Sequence, residues 1–226
     1  MKRICSVFLA GPLLVGALFL LGGNTAHAQV FGSPVPDLTS GKMAAGVAVT
    51  SYNRRFRSST GSFNADHGRQ TVLFDYGLDN TSMVRGEVGT VDMGTSRGNE
   101  LAGSYRSKFG GSRKVGANGE MTTGFLAGGR YFSFSEGGAS SDALQIDVAG
   151  GVNLRFKKIF SVYGAGILSY ISGETSSGTA SSSWGADSII GIYGGVEATF
   201  ENTFQGGLEL HMLFDSGIGL YGRFFF

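Results

Sequence analysis

The sequence predicts an all-β protein: a closed antiparallel transmembrane β-barrel of ten strands, or of eight if one hairpin is removed. Three observations predict it. Apolar and polar residues alternate with period two along successive segments, the pattern of strands whose two faces meet different solvents. No proline occurs between Asp37 and Phe226, as a closed wall requires when lipid offers no other partner for backbone N–H groups. The final strand puts Ile218, Leu220, Gly222, Phe224 and Phe226 on one parity, and Gly219, Tyr221, Arg223 and Phe225 on the other. A greasy face backed by an arginine suits lipid outside and a polar lumen inside.

Residues 1–28 read as a secretory signal peptide. Lys2 and Arg3 form its positive start, Val7 to Leu21 its apolar stretch, and Ala26-His27-Ala28 a small-x-small cleavage site. The apolar stretch is broken by Gly11, Pro12 and Gly16 and is too short for a spanning helix of about 20 residues. Cys5 precedes it, so a lipoprotein attachment is excluded, and the remainder has no cysteine. The chain has 18 basic and 17 acidic residues. That balance leaves no electrostatic footprint for nucleic acid. Glycine accounts for 39 of 226 residues, far above the usual share of about 7%. The glycines lie inside alternating apolar segments, unlike those of disordered chains.

Residues 29–42, with Pro34 and Pro36, read as a periplasmic lead-in too short to bury a core. The barrel is expected over residues 43–226, with strands near 43–56, 70–78, 82–92, 100–110, 121–134, 143–156, 159–171, 186–199, 203–214 and 217–226. In the sixth, Leu144, Ile146, Val148, Val152, Leu154 and Phe156 oppose Gln145, Asp147, Asn153 and Arg155. The eighth and ninth alternate likewise, with Tyr193 and Glu197, then Gln205, Glu209 and His211, on the polar side. Asp79-Asn80, Lys157-Lys158 and Glu201-Asn202 read as tight turns. Longer polar stretches, 58–69, 135–142 and 173–185, read as loops at the other end. Short turns are periplasmic in outer-membrane barrels, so both chain ends are expected in the periplasm. The connection 111–119 is long for that side. A soluble β-sandwich would also alternate, but it does not account for the signal peptide, the aromatic end and the missing proline together.

Gly129-Arg130-Tyr131-Phe132 and Tyr163-Gly164-Ala165-Gly166, followed by Tyr170, resemble recurring strand motifs of the small OmpA-, OmpX- and opacity-type outer-membrane barrels. The carboxyl-terminal Tyr221, Gly222, Phe224 and Phe226 resemble the signal by which such barrels engage their assembly machinery, with Gly222 displaced by one position. The resemblance covers about residues 40–226. It implies a barrel of the Gram-negative outer membrane, in contact with lipid and lipopolysaccharide. A monomer is expected, and no peptidoglycan-binding domain is expected to follow, because the sequence ends on the last strand. The resemblance implies no particular ligand.

Arg85, Glu87, Arg106, Lys108, Arg130, Asp147, Arg155, Asp187, Glu197, Glu209, His211 and Arg223 fall on inward parity. They can pair and plug the barrel, or line a narrow pore. Unpaired charge in a confined lumen is costly, and ten strands enclose little space, so a plug is expected, with a structural or surface-interaction role. Catalysis is not expected. His67 follows Asp66 in a stretch read as loop, His211 faces Glu209, and no base is tied by spacing to a nucleophile. Asp92 to Glu100 carries too few acids for calcium. No cofactor is implied. Trp184, the only tryptophan, reads as an anchor at the membrane interface.

Overall fold

The computed structural model describes residues 30–226 except 60, 95, 158 and 214; the signal-peptide reading lies outside them. Eleven strands follow one another: β1 Met43–Ser58, β2 Gly61–Gly77, β3 Ser82–Met93, β4 Ser96–Val115, β5 Gly119–Glu136, β6 Ala139–Phe156, β7 Phe160–Ser177, β8 Ala180–Ala186, β9 Ile190–Phe200, β10 Phe204–Met212 and β11 Asp215–Phe225. Every pairing is antiparallel. Ten strands form the wall in the order β1 to β7, β9, β10, β11. The wall closes where β1 meets β11, from Ala44 opposite Phe225 to Arg54 opposite Asp215. The barrel has ten strands.

The eleventh strand was not expected. β8 arises in the polar stretch read as a loop and stands between β7 and β1, above the ends of β9 to β11. The ninth strand accordingly begins at Ile190, not at 186. The other expected loops, 58–69 and 135–142, are also strand, as is most of 111–119; these hairpins close through short turns. Gly137 and Gly138 turn β5 into β6 with φ of 57° and 86°, the left-handed pair of a two-residue hairpin. At the opposite end Glu201 and Asn202 adopt 49° and 55° without glycine.

Outward residues divide by height. On β6, Leu144, Ile146, Val148, Val152, Leu154 and Phe156 face out, and Ser140 and Asp142 lie beyond them. At about 3.3 Å per residue and a tilt near 40°, Leu144 to Phe156 covers about 30 Å of barrel height, the hydrocarbon thickness of a bilayer. Leu101 is 64% and Tyr170 60% exposed on this belt, while inward Phe56 and Phe132 are wholly buried. Toward the chain ends the belt finishes in aromatic pairs, Phe156–Phe160 at 6.5 Å, Phe200–Phe204 at 6.2 Å and Phe204–Phe224 at 4.9 Å. Such rings form the girdle of membrane barrels.

The lead-in does not hang outside. Lys42 N–H donates to the Thr39 carbonyl at 3.1 Å, and Gly41 supplies the positive φ of 73° that this turn needs. The reversal sends residues 38 to 30 up into the lumen, where Val30, Phe31, Ser33, Val35 and Leu38 are buried. The expectation that this segment is too short for a core of its own misses that it shares the barrel's.

Candidate functional site

The interior is the candidate site, and it is layered. At the mouth nearest the chain ends, Leu38 packs with Ala44, Met83 and Phe225. Just above, Arg85 grips Asp75 through two hydrogen bonds, 2.6 and 2.9 Å long. Arg223 donates to the same carboxylate at 2.5 Å, to Gln205 at 2.8 and 2.6 Å, and to Asp37 of the lumen segment. This fork-shaped pairing suits guanidinium.

The next layer surrounds residues 31–33. Glu209 accepts the N–H groups of Phe31 and Gly32, each at 2.8 Å, and bonds Tyr163 Oη and His211 Nε2, each at 2.7 Å. Glu197 accepts from Ser161 at 2.9 Å, from Tyr221, and from the Ser33 N–H at 3.4 Å. Arg106 donates to the carbonyls of Phe31 and Ser33. The Phe31 ring lies 5.1 Å from Tyr193 and 5.4 Å from His211.

Above it, Arg130 bridges Glu87 at 2.5 Å and Glu100 at 2.8 Å. Glu100 also faces Arg69 at 3.3 Å. Gln145 links Asp147, at 2.9 and 3.0 Å, to Ser169 at 3.2 Å. The far end is apolar: Phe56, Val91, Phe132, Ala143, Ile171 and Trp184 form one cluster. His67 stacks between Tyr52 and Phe56 at 4.8 and 5.1 Å.

Of the expected lumen charges, Arg85, Glu87, Arg106, Arg130, Asp147, Glu197, Glu209, His211 and Arg223 are buried inside. Arg155 opens onto the mouth cavities, and the Lys108 ammonium reaches the Asn80 carbonyl in a turn at 3.1 Å. Asp187 is a correction. It precedes β9 and pairs with Arg55 and Arg57 on the outer face, at 3.5 and 2.7 Å, because the chain there is crossing from β8 to β9. Trp184 is another: its indole is 8% exposed and turned inward. A Cβ on Gly173 would lie 2.3 Å from that ring, so only glycine leaves room. Asp66 and His67 lie on opposite faces, Asp66 accepting from Asn53 at 2.8 Å. Asp92 and Glu100 diverge likewise, Asp92 to Arg97 outside at 2.7 Å and Glu100 inside. At the carboxyl end Tyr221 faces the lumen, while Gly222, Phe224 and Phe226 lie on the outer parity. Sequence reasoning missed Arg54, Arg69, Asp75 and Glu100. Asp75 carried a usable signal, since Phe74 and Tyr76 flank it on the lipid parity.

Among the described residues no group of three acids, histidines or cysteines could hold a metal ion. A void of about 10 Å³ beside Phe31, Arg106 and Arg130 is at the lower limit for one water. Larger spaces, about 340 and 130 Å³, open at the mouth, around Asp37, Arg155 and residues 35–39.

No protein-family model and no curated protein matches the chain. Solved structures do match. The attachment invasion locus protein Ail of Yersinia pestis is 12% identical over 83% of this chain and 100% of its own, with a TM-score of 0.36. Neisserial surface protein A is 11% identical over 80% and 96%, with a TM-score of 0.36. The outer membrane protease OmpT of Escherichia coli is 8% identical over 84% and 97%, with a TM-score of 0.38. Likeness this distant carries no argument about function; the barrel itself rests on the strand pairing.

Proposed function

We propose that the chain is an integral barrel of the Gram-negative outer membrane, with both ends periplasmic and with a structural or surface-contact role. One observation carries this reading: a closed wall with a bilayer-high apolar belt encloses a lumen filled by ion pairs and by the chain's own residues 30–38. A belt of that size is unsuited to water, and a filled lumen leaves solutes no path. The serine-rich strand ends that rise beyond the belt, Ser133 to Glu136 with Ala139 to Asp142 and Glu174 to Ser177 with Ala180 to Ser183, lie opposite both termini. They support the orientation, since the longer extramembrane segments of such barrels are external. Cleavage after Ala28 suits it too, since Val30 lies deep inside. In this reading the barrel meets lipid and lipopolysaccharide outside, needs the assembly machinery for insertion, and does no chemistry. The test combines heat-dependent gel mobility, which certifies a folded barrel, with conductance in a planar bilayer. A folded barrel is expected to give no steady current. Discrete, lasting current steps would replace this reading with a narrow pore.

A further inference from the structure

The charged groups around residues 31–33 are arranged for a peptide backbone. Glu209 spends one carboxylate oxygen on each of two consecutive N–H groups, both at 2.8 Å. Glu197 faces the third N–H at 3.4 Å. Arg106 donates to two carbonyls of the same stretch. Among the described residues neither glutamate lies within ion-pair distance of a lysine or arginine, and Arg106 lies within that distance of no carboxylate. Elsewhere in the lumen arginine and acid pair directly. Among the described residues the wall gives Glu209 only Tyr163 and His211, and Glu197 only Ser161 and Tyr221. Buried charge is strongly disfavoured unless its hydrogen bonds are filled, and the backbone threaded between these three groups fills the remainder. Residues 30–38 supply that backbone without joining any strand ladder.

We propose that the lumen is a blind peptide-binding site and that Val30–Leu38 is its resident, exchangeable ligand. The site reads backbone at three successive residues, side chains at three positions and the lack of one at a fourth. Tyr193, His211 and Leu126 form the slot for an aromatic ring. Gly32 sits at φ +71° with Arg106 3.4 Å from where a Cβ would be. Asn153 donates to Ser33 Oγ at 2.8 Å, and Arg223 takes Asp37. The ligand class is therefore a peptide with aromatic, glycine and serine in succession, kinked at the glycine, and with an acid six residues after the aromatic. The aromatic cluster closes the far end, so exchange runs through the mouth, where the two larger cavities flank residues 35–39.

The experiment uses the full chain with a protease site inserted between Thr39 and Ser40, cut after folding. The segment is expected to stay bound through gel filtration and to exchange with labelled synthetic Val30–Leu38 peptide. Glu209→Gln and Arg106→Met should each speed its release at least about tenfold, the effect of losing a hydrogen bond to a charged group. A peptide with Phe31→Ala should compete at least about tenfold more weakly. Three results would overturn the proposal: loss of the segment with no uptake of peptide by a barrel of unchanged heat-dependent mobility; equal binding of a scrambled peptide; or unfolding of the barrel on cleavage, which would make the segment part of the fold.

Discussion

Arg130 shows what a single side chain does inside this wall. It faces two acids, Glu87 at 2.5 Å and Glu100 at 2.8 Å, and all three are at most 8% exposed. Removing the guanidinium leaves both carboxylates buried without it, and breaking such a pair costs about 3–5 kcal/mol. Arg130→Met is expected to lose that much in urea unfolding from vesicles. The triple change with Glu87→Gln and Glu100→Gln should recover most of it. A triple variant no better than the single would mean that the charges matter for shape alone. Asp79, in the β2–β3 turn, is the opposite case. It is fully exposed, yet the Thr81 hydroxyl, then Ser82 and the Thr81 N–H, hold its carboxyl below the ordinary 3.8, at about 2. A lowered folded value means that its contribution is complete above pH 3.8 and fades as pH falls toward 2. The unfolding gap between the native chain and Asp79→Ala should therefore be constant above pH 4 and close near pH 2. A gap that persists at pH 2 would contradict the turn's dependence on the ionised group.

At the scale of elements, β8 and the lumen segment explain what could and could not be read in advance. β6, β9, β10 and β11 were legible because one face of each meets lipid and the other a polar interior, which writes period two into the residues. β8, Ala180 to Ala186, meets neither: its outer face is beyond the belt, so serine serves there and the sequence looks like loop. The lumen segment was illegible for a different reason. It forms no ladder, and its partners Glu197, Glu209 and Arg106 lie 73 or more residues away. Only apolar Val30, Phe31, Val35 and Leu38 in a supposed linker hinted at burial. Trp184 tests the β8 assignment. As the sole tryptophan, set inside against Phe56 at 5.4 Å, it should emit at short wavelength and resist quenching by brominated lipids. A tryptophan at the membrane interface would be quenched strongly. Trp184→Ala should cost about 3–5 kcal/mol, the usual loss for a large buried aromatic.

For the whole molecule, one wall serves two solvents at different heights, and β6 samples both on a single face. Val148 sits in the middle of the apolar stretch from Leu144 to Phe156, and Ser140 lies eight residues away on the same side. At barrel tilt that separation is about 20 Å along the axis, enough to pass from hydrocarbon to water. An arginine on the lipid face costs about 2–4 kcal/mol at the midplane and about 0–1 near the interface. Val148→Arg is therefore expected to destabilise the barrel by the larger amount in vesicle unfolding, and Ser140→Arg hardly at all. Both variants keep the lumen intact, because neither side chain points into it, so the conductance and the peptide exchange should be unchanged. If Val148→Arg proved as harmless as Ser140→Arg in a barrel of normal heat-dependent mobility, the belt would not lie in lipid. The filled lumen would then belong to a protein that hides its outer face against another molecule, and the membrane reading would fall while the interior architecture stood.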